Sequence, residues 1–137
     1  MNAITQYATP LGRVLISFIF IMAGLSKITS YAGTVGYMES QGVPGALLPA
    51  VIATELGLGI LVLIGWKARI AAFLLAGFSI LSALLFHLNF ADQTHSIMFM
   101  KNFAIAGGLL FLVANGAGIL SVDNYKRRHH EILASSA

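Results

Sequence analysis

Four long apolar runs, Pro10 to Ser26, Leu47 to Gly65, Ala68 to Leu88 and Asn102 to Leu120, occupy most of the chain. Each suits a bilayer span, which as a helix needs roughly 17 to 25 mostly apolar residues. Pro10 and Pro49 fit the first turns of the first and second spans, where a missing N–H costs nothing. Gly116 and Gly118 mark the end of the fourth, followed by Asp123 and a basic run. The expected fold is therefore all-α, an integral membrane four-helix bundle forming one domain over residues 1–137, with a tail at 121–137.

Composition agrees. Of 137 residues, 58% are hydrophobic and 9% charged, and mean hydropathy is +0.85, whereas soluble domains carry roughly 25% charged residues. The net charge of +3 does not indicate nucleic acid, because the basic residues are scattered at segment ends. With no cysteine, the chain has no thiolate, no iron–sulfur ligation and no covalent c-type haem. His87, His95 and the adjacent His129 and His130 lack metal-ligand spacing, so no metal is indicated.

Residues 1–12 lack Lys and Arg, and Gly24 to Lys27 is a poor cleavage site, so the first span is expected to persist rather than act as a signal peptide. One side of the bundle would hold Arg13, Lys67, Arg69, Lys126, Arg127 and Arg128, the other only Lys27 and Lys101. The positive-inside rule then places both termini in the cytoplasm of a bacterial-type inner (plasma) membrane. Outside lie two longer loops. Tyr31, Val35 and Met38 in the first suggest a short amphipathic helix ended by Gly42-Val-Pro-Gly45, and residues 89–101 read as a polar loop.

Each span carries one stripe at helical spacing. The first is Arg13, Ser17, Phe20, Gly24 and Lys27; the second is Ile52, Glu55, Gly59 and Val62. The third is Ala72, Ala76, Ser79, Ala83 and His87, and the fourth is Lys101, Ala104, Gly108 and Asn115, with Asn102 one position round. Small residues at this spacing allow close approach in lipid, so the stripes are expected to face one interior. Glu55 lies deepest, about 12 Å along its helix from Leu47 at 1.5 Å per residue. A charge at that depth costs about 2.5 to 3.5 kcal/mol on insertion scales and usually marks a site. Glu55, His87, Lys101 and Asn102, with Lys27 and Gln93, form the candidate outward-facing pocket, in which His87 or Lys101 is expected to answer the carboxylate. Arg13, Arg69 and Asp123 are candidate structural polar residues near the inner end. The competing reading is bland: lysines at helix ends snorkel, His87 bonds at the interface, and Glu55 serves an ion pair that only holds helices together.

The run Arg13-Val-Leu-Ile-Ser-Phe-Ile-Phe-Ile-Met-Ala-Gly-Leu-Ser-Lys27 resembles the opening signature of DoxX-family membrane proteins. Glu55 before Leu-Gly-Leu-Gly, then Leu63-Ile-Gly-Trp-Lys-Ala-Arg69, His87, Lys101-Asn102 and Gly116-Ala-Gly-Ile-Leu-Ser-Val-Asp123 fit the same pattern. The resemblance implies a four-helix inner-membrane protein linked to membrane redox or oxidative-stress systems. It supplies no substrate and no catalytic residue.

The leading expectation is a subunit or accessory of a membrane redox system whose pocket binds a quinone-like carrier, with Phe20 and Phe86 against the ring or tail. Whether the chain is itself an oxidoreductase stays open. The alternatives are a non-catalytic membrane partner and a small-solute or proton-linked carrier, the last requiring a homo-oligomer. Expected partners are the lipid bilayer and a protein of a redox complex.

Overall fold

The computed structural model describes residues 2–136. They form six helices and, among the described residues, no strand. The four spans are α1 (Ala3–Thr29), α3 (Gly45–Ile64), α4 (Ala68–Phe86) and α5 (Gln93–Asn115), all long and apolar enough to cross a membrane. A short α2 (Tyr31–Ser40) follows α1, and α6 (Val122–Ser135) follows α5.

The inward faces of the first three spans match their stripes. Arg13, Ser17, Phe20 and Gly24 are the buried residues of α1, and Glu55, Gly59 and Val62 are buried in α3. Ala72, Ala76, Ser79 and Ala83 are buried in α4 beside Ala68, Ala71 and Leu75. The fourth stripe differs. Lys101, Ala104, Gly108 and Asn115 are exposed, and α5 buries Ala106, Leu109 and Leu112 instead. The alanine face of α4 explains the rotation: it leaves a groove that small residues opposite would turn into a void, while leucines fill it. The core joins Phe20, Val62, Leu75 and Leu109. Leu15, Phe18, Phe73 and Phe111 point outward, as expected where lipid tails are as apolar as the side chains they meet.

Helix ends depart from the sequence reading in three places. Pro10 lies inside α1, which starts about two turns earlier with Asn2 as cap. The expected polar loop at 89–101 is mostly helix, because Asp92 caps α5 by accepting from Thr94 N at 2.7 Å. The segment after residue 121 is helical rather than a plain tail: Asn124 is buried, and Asp123 N donates to Gly65 O at 2.9 Å. That bond places the α3–α4 turn and the exit from α5 at the same end of the bundle.

Candidate functional site

α1 and α3 meet on glycines. A Cβ on Gly24 would fall 2.6 Å from Leu56 Cγ, and one on Gly59 would lie 3.2 Å from Phe20 Cβ. One turn beyond Gly24, this approach brings Lys27 over Glu55. Glu55 sits in a widened π turn, Thr54–Leu58, inside α3; such turns add a residue to the helix and often lie at functional sites. Lys27 Nζ lies 3.0 Å from both carboxylate oxygens. It donates to Oε1, and Oε2 is left without a hydrogen-bond donor. Glu55 is 5% exposed, so the lysine offsets a charge that would otherwise be buried alone.

The residue that answers Glu55 is therefore Lys27, where His87 or Lys101 was expected. The cause is geometric: Lys101 stands at an exposed position of α5, while the flexible stem of Lys27 lies along a helix already packed on α3.

Glu55, Lys27, His87, Lys101 and Asn102 nevertheless line one cavity of ≈ 470 Å³. Gln93 does not; it is exposed at the first position of α5, outside the lining. The rest of the wall is mainly apolar and includes Phe20, Phe78 and Phe86. α2 covers part of it with Thr34, Tyr37 and Met38, and Tyr37 stacks on Phe86 with ring centroids 5.7 Å apart. A short helix is present after α1, as expected, and is folded onto the bundle so that Met38 is buried, but it is not the amphipathic helix expected: Tyr31 of the expected apolar set is exposed and no single apolar face forms.

Two features were not singled out from sequence. Ser79 lines the cavity with a buried Oγ that has no partner; its only signal was a lone hydroxyl in a row of alanines. His95 Nδ1 lies 3.1 Å from Phe86 O and 3.3 Å from His87 Nδ1. A carbonyl only accepts, so we assign the proton to His95 Nδ1; His87 Nδ1 is then an acceptor and His87 Nε2 carries its hydrogen. His95 lies in the stretch expected to be a polar loop; its place on the first turn of α5 brings its ring to His87, a contact that spacing along the chain does not show.

At the other end, Arg13, Arg69 and Asp123 gather as their depth suggested, around a separate cleft. Asp123 accepts from Lys67 N and Ala68 N at 2.7 and 2.9 Å, capping the start of α4. Arg69 Nη1 donates to Val113 O and Ala114 O at 2.9 and 2.8 Å, satisfying the end of α5. Among the described residues, no group of three or more metal-ligating side chains is present.

Four apolar spans around a buried ion pair define an integral membrane protein of the small helical-bundle class. The chain belongs to the DoxX family, whose model matches residues 8–88. It is 47% identical over 123 residues to Inner membrane protein YqjF of Escherichia coli (strain K12), covering 90% of this chain and 95% of that protein. Inner membrane protein YphA of the same organism is 35% identical over 121 residues, covering 82% and 86%. A protein of Bacillus subtilis (strain 168) named "Putative oxidoreductase CatD" is 37% identical over 76 residues, covering 56% of this chain and 57% of its own length. No solved structure matches.

Proposed function

We propose that this DoxX-family protein serves as a subunit or accessory of a membrane redox system, and that its outer cavity takes a quinone-like carrier. The observation that carries this reading is that the wall of an otherwise apolar cavity holds a buried hydroxyl with no partner, Ser79 Oγ, and a buried carboxylate oxygen, Glu55 Oε2, that meets Lys27 Nζ at 3.0 Å but accepts no hydrogen bond. Its ≈ 470 Å³ falls within the roughly 300–1,000 Å³ of small-molecule sites. A quinone carbonyl accepts hydrogen bonds, which Ser79 Oγ–H and His87 Nε2–H offer. The quinol formed from it by two electrons and two protons donates O–H, which Glu55 Oε2 accepts. The electrons come from a redox partner, since this chain carries no cysteine to exchange them. The oxidoreductase in the name of the Bacillus subtilis relative supports the redox class.

Both termini are assigned to the cytoplasm on the excess of Lys and Arg at the end that holds Arg13, Lys67 and the tail. Lipid extraction and native mass spectrometry of gently purified protein test the carrier. A bound quinone, lost in Glu55→Gln and in His87→Ala while the fold persists, is the expected result; protein that carries none and gains no thermal stability on adding ubiquinone or menaquinone overturns it. A second reading has its own observation: Lys27 already neutralises Glu55 within the chain, which suits a non-catalytic membrane partner held together by that pair. It predicts that the same variants lose stability and leave every ligand unaffected.

A further inference from the structure

At the end of the bundle opposite the outer cavity, a cleft of ≈ 1030 Å³ opens between α1, the α3–α4 turn, the end of α5 and the start of α6. Four cationic side chains line it, Arg13, Lys67, Arg69 and Arg127, against one carboxylate, Asp123. That carboxylate is engaged by two backbone N–H groups. None of the four cations forms an ion pair within 4.0 Å among the described residues, where the only such pair joins Lys27 and Glu55.

Arg13 gives the cleft its direction. It is 5% exposed, and its Nη2 donates to Leu120 O. Its Nε and Nη1 are buried with no acceptor at all. A buried donor left unmade costs about 1 to 3 kcal/mol, and more when charged. The surrounding backbone is shaped to hold this guanidinium: Gly65 has φ +71°, and a Cβ there would collide with Arg13 Nη1.

We infer that the cleft binds a phosphate-bearing anion. Arginine offers several N–H donors in a planar fork that suits phosphate oxygens, and basic pockets between spans bind anionic headgroups. The phosphate can belong to a lipid of the surrounding leaflet or to a soluble molecule; Ile70 and Phe111, both exposed on the rim, provide a path for acyl chains in the first case. This inference is independent of the quinone reading, because it uses no residue of the outer cavity.

The test is thermal unfolding of the full-length protein in neutral detergent, titrated separately with phosphatidylglycerol, phosphatidylcholine and inorganic phosphate. A midpoint raised by phosphatidylglycerol but not phosphatidylcholine identifies a lipid headgroup, and one raised by inorganic phosphate identifies a soluble source; either supports the site. Lys67→Gln and Arg127→Gln, whose side chains lie outside the core, should each weaken the protection about fivefold, the effect of one basic charge near an anionic surface. The inference is overturned if neither phosphatidylglycerol nor phosphate protects, if phosphatidylcholine protects equally, or if the double variant is protected like the parent chain.

Discussion

Gly24 of α1 and Leu56 of α3 touch so closely that the space a Cβ would need is already filled by Leu56 Cγ. The contact lies one turn from the ion pair and sets the distance over which Lys27 must reach. Gly24→Val should therefore push the helices apart, destabilise the protein by about 1 to 3 kcal/mol as overpacking does, and weaken the Lys27–Glu55 contact. Unfolding in mild detergent, with cross-linking between cysteines placed at facing positions of α1 and α3, would measure both. Unchanged stability and cross-linking would mean that the two helices do not depend on this contact.

Removing one partner of the ion pair leaves the other uncompensated. Lys27→Met should cost roughly 3 kcal/mol, the low end for breaking a buried pair, because Lys27 retains 28% side-chain exposure. Lys27→Met combined with Glu55→Gln should recover most of that loss. A double-mutant cycle measures the coupling; additive losses would show that the two side chains act separately.

The two imidazoles near the α4–α5 connection cannot both be charged without placing N–H against N–H at the Nδ1–Nδ1 contact of 3.3 Å. Nitrogen-15 spectra at neutral pH should show the proton on Nδ1 of His95 and on Nε2 of His87. Acidification that charges both rings should separate them, and His95→Phe should remove the coupling. Spectra with Nδ1 of His87 protonated would reverse the assignment.

Asp123 caps α4 across a large sequence separation, so Asp123→Ala should lower stability by about 1 kcal/mol, the usual loss of an N-cap. Hydrogen exchange should then rise at Lys67 and Ala68. Protection unchanged at those two amides would argue against the cap.

Topology has a direct check. A reporter active only outside the cytoplasm should be silent when fused to the C-terminus and active when inserted near Gln93. The reverse pattern would place the basic end outside.

Three of four inward faces were legible because polar and small residues on α1, α3 and α4 coincide with the buried stripe. α5 was not, since its burial depends on the shape of its neighbour: the alanines of α4 call for Leu109 and Leu112, a demand no single-helix pattern contains. The same limit applied at the Glu55 cavity. Depth and spacing selected Glu55, Lys27, His87, Lys101 and Asn102, all of which line it, but the choice of Lys27 as counter-ion depends on the closeness of α1 and α3. Gln93 was drawn in by a loop that turned out to be helix.

Lys27 precedes Glu55 in the chain, and this order bears on biosynthesis. Chains emerge N-terminus first at about 5 to 20 residues per second, so the ammonium group is made a few seconds before the carboxylate it will neutralise. The second span can then enter the bilayer beside a helix that already carries its counter-charge, with no need to wait for α4 or α5. Exchanging the two residues would keep the pair in the finished protein but reverse the sequence of arrival. The lysine would then have to be carried towards the midplane, at the deeper of the two positions.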